Sequence, residues 1–268
     1  MPNVHAVGPV ELYLFTADAE VAAEAVAEGA AGVVVDWEQR AKRERQAGFD
    51  TQVNADTPED LRRVRAATDG RVLCRVNGWG PWSPDELALA ADLGADEVLL
   101  PMVRRPEEVD RALDALGGAC GLGILVETLD AVACVDELAT RPLSRLYVGL
   151  NDLMIERRTL DLFVPLVDGT VDRVRTATTC PFGVAGLTVP GGGRPVPTEL
   201  LAGELGRLDA AFTFLRRSFL ADAAGRGLAG PLAEVAAMVA AAGTRGPDDV
   251  AADRAALLRA VPVPAPAG

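Results

Sequence analysis

The sequence predicts a single (β/α)8 barrel of the TIM type with additional C-terminal helices. Three observations predict it. Short apolar runs recur near residues 10–16, 32–37, 71–76, 96–101, 121–126, 145–149, 181–186 and 210–215. The runs are continuous rather than alternating, as in parallel strands covered on both faces. Helix-period segments separate them; in Glu107–Leu116, for example, Val109, Ala112, Leu113 and Leu116 fall at i, i+3, i+4 and i+7. Eight strand–helix units in about 225 residues fit a closed barrel. A doubly wound open sheet is the alternative, but no G-x-G-x-x-G turn follows the first run.

The helix starts agree with this layout. Thr57-Pro58-Glu59-Asp60 and Ser83-Pro84-Asp85-Glu86 each offer an N-cap, a proline at the first helical position and an acid at the third. After the last apolar run come Ala221–Ala242 and Pro247–Ala260, both alanine-rich and helical in pattern. The first is expected to complete the barrel and the second is surplus. The final Val261–Gly268 reads as a disordered Pro/Ala tail. Residues 1–242 are therefore expected to form one barrel domain, with an extra helix and tail over 243–268.

Composition narrows the function. With 268 residues, 49% of them hydrophobic, the chain can bury one large core. A net charge of −13 argues against nucleic acid and anionic membranes as partners. No apolar stretch reaches the roughly 18 residues of a membrane span, and no signal peptide is visible at the N-terminus. Cys74, Cys120, Cys134 and Cys180 form no CxxC pair and read as reduced thiols, so a cytoplasmic location is expected. The one lysine, Lys42, sits in a charged helical turn, which argues against Schiff-base chemistry. The one histidine, His5, precedes the first strand, which argues against a catalytic triad or a histidine-bound zinc.

Active sites of such barrels form where strands end and the following loops begin. Glu127 closes the fifth run and Asp152 follows the sixth, so both acids are expected at the same end of neighbouring strands, where hard oxygen ligands suit Mg²⁺ or Mn²⁺. Arg75 ends the third run and would hold an anionic substrate beside the metal. The plainer alternatives are helix caps or surface acids for Glu127 and Asp152, and a structural ion pair for Arg75. Arg216 and Arg217 end the eighth run and would bind a second carboxylate or a phosphate, or form an ion pair. Gly191-Gly-Gly193-Arg194 offers a phosphate cradle or a plain turn, and Trp79 and Trp82 either shield the site or pack the barrel top.

Asp36-Trp-Glu38, Arg75-Val-Asn77, Leu99-Leu-Pro101, Glu127-Thr128 and Gly149-Leu-Asn-Asp152-Leu153 follow one another in the chain. In that order they resemble the HpcH/HpaI aldolase and citrate lyase β-subunit family, over about residues 10–220. The resemblance implies a homo-oligomeric, metal-dependent carbon–carbon lyase or aldolase acting on a carboxylate, 2-oxo acid or acyl thioester such as an acyl-CoA. It implies that Glu127 and Asp152 hold Mg²⁺ or Mn²⁺ and that Arg75 binds the carboxylate or enolate oxygen. Asp36 and Glu38 would support catalysis, one of them by orienting Arg75 or a metal-bound water, or would form a structural salt bridge. Gly149 and Asn151 would line the substrate subsite with Arg75 and Arg216; the plainer alternative for Asn151 is to position the loop or cap the next helix.

The chain also departs from that pattern. Gln39 stands where the oxo-acid aldolases carry histidine and the citrate lyase-like members carry aspartate. Leu125, Met102 and Leu150 replace a glutamine, a lysine and a proline. Glutamine has no useful proton-transfer pKa, so the family's general base is missing. A barrel that binds a carboxylate ligand or a partner without turnover is therefore the competing expectation, beside related metal–enolate reactions such as condensation or decarboxylation.

Overall fold

The computed structural model describes residues 9–40 and 56–261. Lys42, His5 and residues 262–268 of the tail lie outside the described residues. Eight parallel strands close in sequence order: β1 (Glu11–Phe15), β2 (Gly32–Asp36), β3 (Arg71–Arg75), β4 (Glu97–Leu100), β5 (Gly121–Val126), β6 (Arg145–Val148), β7 (Phe182–Leu187) and β8 (Phe212–Leu215). Tyr13 pairs with Phe214 to join the last strand to the first. The closed sheet excludes the doubly wound alternative.

Helices cover the outside: α1 (Ala19–Ala27), α2 (Pro58–Ala67), α3 (Ser83–Asp92), α4 (Pro106–Leu116), α5 (Leu129–Ala133), α6 (Val135–Leu138), α7 (Leu150–Arg157), α8 (Val164–Val167), α9 (Thr170–Ala177), α10 (Thr198–Arg207), α11 (Phe219–Asp222), α12 (Ala229–Gly243) and α13 (Pro247–Ala260). Among the described residues no helix is long and apolar enough to cross a membrane, and the four cysteines are free.

Local chemistry explains several starts and stops. Thr57 caps α2 in a capping box with Asp60. Ser83, expected to cap α3, is instead its first residue; Trp82 holds the cap position and the Ser83 hydroxyl accepts the Gly80 N–H at 2.9 Å. The segment expected as one helix over Ala221–Ala242 is split between α11 and α12. Gly225 and Gly227, at φ 77° and 65°, take the left-handed backbone that ends the first piece. The surplus helix α13 packs on α10 of the same chain. Gly203 permits that approach, since a Cβ there would stand 2.6 Å from Asp253 Oδ2. Arg254 secures it, reaching Glu204 Oε1 and the Leu166 carbonyl at 2.7 and 2.6 Å.

The barrel interior has its own apolar core, with Tyr13, Val34, Leu73, Leu99, Leu125, Phe212 and Phe214. One end of that core is closed by a buried ion pair. Arg145 donates to Glu97 Oε1 at 2.5 Å and its guanidinium lies 4.6 Å from the ring centres of both Tyr13 and Phe212. At the other end, two residues beyond Val34, Leu73, Leu125 and Phe214, stand Asp36, Arg75, Glu127 and Arg216. The two-residue period of a strand sends these four side chains to the same inner face.

Removing one member of the buried pair strands the other charge. Glu97→Leu is expected to cost about 3–5 kcal/mol in chemical denaturation, whereas Glu97→Leu with Arg145→Met returns to within about 1 kcal/mol of wild type. Equal loss in both variants would contradict this reading.

Candidate active site

A cavity of about 600 Å³ opens where the strands end. Arg75, Glu127, Gly149, Asn151, Asp152, Arg216 and Arg217 all line it, between apolar walls that include Phe15, Leu125, Tyr147, Phe163 and Phe214. The structure thus brings together, in one cavity, both expected metal ligands and all the expected substrate-contacting residues.

Arg75 is fixed by a two-pronged bond to Asp36: Nε reaches Oδ1 at 2.9 Å and Nη2 reaches Oδ2 at 2.7 Å. Glu38 adds a second carboxylate 3.6 Å from Nε, and the Phe15 ring centre lies 5.0 Å from the guanidinium. Burial works against the Arg75 charge, but Asp36 and then Glu38 outweigh it and hold the guanidinium above its ordinary pKa. Asp36 and Glu38 are themselves buried and do not line the cavity. Both carboxylates contact Arg75 from behind the cavity wall. Arg217 shares the same acid, 3.7 Å from Asp36 Oδ2.

Glu127 follows β5 and is 2% exposed. Its Oε1 accepts the Met102 N–H at 2.9 Å, and Met102 has a left-handed backbone, φ 56°, uncommon for a side chain of its kind. Gly149 makes room for the other oxygen: a Cβ at that position would stand 2.2 Å from Glu127 Oε2. Asp152 lies in the first turn of α7, whose cap is Gly149, and is 8% exposed. Burial pushes the Glu127 carboxyl well above the usual carboxylate range. The negative charges of Asp152 and Glu38 add to the rise, and Arg75 and the Met102 N–H oppose it.

The aromatic wall is the part that sequence reasoning missed. Tyr147 stands two residues before Gly149 on the inner face of β6, and its hydroxyl donates to the Ala185 carbonyl; Ala185 is at φ 59°. Burial, then the Glu127 charge, raises the Tyr147 pKa, so the group stays a proton donor. Phe163 arrives from the segment after α7. The strand period could have found Tyr147, but no local signal fixes Phe163.

Other candidates lie elsewhere. Gln39 is exposed; its side chain donates to the Asp56 carbonyl at 3.3 Å and its N–H to Asn77 Oδ1 at 2.9 Å. It does not line the cavity. Trp79 packs against the outer core and Trp82 lies under Arg40, 4.4 Å from its guanidinium. The Gly191–Gly193 loop is a turn tied to α10, where Gly191 N–H donates to Glu199 Oε1 at 2.6 Å.

Comparison with known proteins shows the fold. RipC from Yersinia pestis superposes with a TM-score of 0.59 at 15% identity, over 90% of this chain and 98% of its own. Citrate synthase SbnG gives 0.60 at 17% identity, over 83% and 92%. The aminoacrylate-bound form of tryptophan synthase from M. tuberculosis gives 0.59 at 16%, over 86% and 94%. No protein-family model and no curated protein matches the sequence.

The raised Glu127 carboxyl has a measurable sign. A carboxyl whose folded-state pKa lies above its unfolded value binds more protons when folded, so it lowers stability progressively as pH rises between the two values. Glu127→Gln is therefore expected to be more stable than wild type at pH 8 and to lose that advantage by about pH 4, below the unfolded value. A constant difference across this range in urea titrations would contradict the assignment.

Proposed function

We propose that this chain is an enzyme: a carbon–carbon lyase or aldolase, dependent on Mg²⁺ or Mn²⁺, acting on a carboxylate, 2-oxo acid or acyl thioester through an enolate. The observation that carries this reading is the placement of Glu127 and Asp152, from neighbouring barrel units, in one cavity with the clamped guanidinium of Arg75.

The donor set fits a hard divalent ion. Both groups are carboxylates, and each raises the cost of charging the other in a buried setting, which a cation relieves. Among the described residues no group of three or more His, Cys, Asp or Glu is placed to hold an ion. Glu127 and Asp152 would then supply the protein's ligands and leave positions for substrate and water, a common arrangement for Mg²⁺. When bound, such an ion supplies positive charge to a developing enolate oxygen.

The chain's own residues do the rest. Breaking a bond beside a carbonyl moves its electron pair onto the carbonyl oxygen. Arg75 has two N–H groups committed to Asp36 and keeps others for that oxygen or for the neighbouring carboxylate. Because Asp36 fixes the fork, little reorganisation accompanies the reaction. Phe15, Leu125, Phe163 and Phe214 keep the cavity apolar around the charges.

A second reading is favoured by one observation. Gln39 lies outside the cavity and no histidine among the described residues lines it, so the barrel would bind a carboxylate ligand without turnover.

Turnover with Mg²⁺ or Mn²⁺ across 2-oxo acids, hydroxy acids and acyl thioesters separates the two. The enzyme reading expects cleavage or condensation product from at least one class, abolished by EDTA. It also expects kcat/KM to fall about 100-fold in Arg75→Lys, which keeps the charge but loses the fork. Tight binding with no product from any class would establish the second reading; release of CO₂ alone would point to decarboxylation.

A further inference from the structure

Arg216 is the cavity's unbalanced charge. It follows β8 on the face that carries Phe212 and Phe214 into the barrel. Nε donates to the Gly186 carbonyl at 2.9 Å, and Gly186 leaves room for the stem, since a Cβ there would stand 3.0 Å from Arg216 Cγ. The guanidinium lies 5.6 Å from the ring centre of Phe163. These contacts hold the side chain at the cavity wall.

Its charge is not answered as its neighbours' charges are. Arg75 and Arg217 share Asp36. Among the described residues no carboxylate lies within ion-pair distance of Arg216, and its Nη2 is buried with no hydrogen-bond partner. Asp222, whose charge reaches it at longer range, is engaged by the Thr188 hydroxyl. Burial lowers the Arg216 pKa, as expected for a cation without a contacting anion. A guanidinium nitrogen buried without a partner is costly unless a ligand completes it.

The cavity connects this group to Glu127 and Asp152. At about 600 Å³ it falls in the range that takes ligands larger than a three-carbon acid. We propose that Arg216 binds a second anionic group of the substrate, a terminal carboxylate or a phosphate monoester, while the reacting carboxylate lies at the Glu127–Asp152–Arg75 end. The proposal takes this cavity as the substrate site of the reading above; it does not depend on the metal.

The test is calorimetric titration of wild type, Arg216→Met and Arg216→Lys with succinate, glutarate, inorganic phosphate and the monoanions propionate and butyrate, with and without Mg²⁺. In wild type one dianion is expected to bind at least tenfold more tightly than the monoanions. Arg216→Met should weaken that dianion roughly 10- to 100-fold, the usual range for a charged hydrogen bond, and leave monoanion binding within about twofold. Arg216→Lys should restore part of the loss, which a packing role would not produce. Selective loss of succinate or glutarate identifies a carboxylate subsite, and selective loss of phosphate a phosphate subsite. Equal binding of mono- and dianions in wild type, or a dianion affinity indifferent to Arg216→Met, would overturn the proposal. Arg216-dependent dianion binding without any Mg²⁺ effect would retain it while removing the metal from the reading above. Thermal melting of Arg216→Met at or above the wild-type temperature confirms that the variant is folded.

Discussion

Four carboxyl groups, Asp36, Glu38, Glu127 and Asp152, are packed into the mouth of one barrel, and the positive charge of Arg75, with Arg217 beside it, offsets the cost of that packing. Carboxylates buried together resist ionisation. Here a guanidinium is set among them, gripped by Asp36 and approached by Glu38. The clamp divides the acids by task. Asp36 and Glu38 neutralise and hold Arg75, while Glu127 and Asp152 remain at the cavity wall with Glu127 biased toward its protonated form. A buried pair of this kind is a weak source of stability, and its value is a fixed donor in a low-dielectric cavity.

The barrel's geometry turns this clamp into a site. Because all strands run the same way and close on themselves, alternate side chains of every strand point at one axis. The inner positions read as a charged layer around Arg145 and Glu97, an apolar layer, and a second charged layer at the mouth. The first charged layer closes one end. The second faces the loops, where Met102 and Gly149 adapt the backbone to the Glu127 carboxyl. Neighbours of this fold include a citrate synthase and a tryptophan synthase, so the frame alone does not choose a reaction; the mouth does.

Much of this was legible in the chain, and for physical reasons. Strands buried on both faces are written as unbroken apolar runs, so all eight were found within two residues at each end. The polar residue that ends such a run must lie near the mouth, which is why Arg75, Glu127 and Arg216 could be named beforehand. What escaped depends on contacts between distant segments. Sequence named Asp36 and Glu38 as partners for Arg75 but could not tell which one grips it, that Gln39 turns to Asp56, or that Phe163 closes a wall from beyond α7. The break between α11 and α12 was legible in Gly225 and Gly227, yet alanine richness around it masked the signal.

The most direct measurement is calorimetric titration of Mg²⁺ and Mn²⁺ into wild type, Glu127→Gln and Asp152→Asn, each with and without oxalate as a mimic of a pyruvate enolate. A site built on these two carboxylates binds metal in wild type, fails to do so in either variant, and binds oxalate more tightly when metal is present. Metal binding that survives both substitutions, or oxalate binding that ignores the metal, would contradict it.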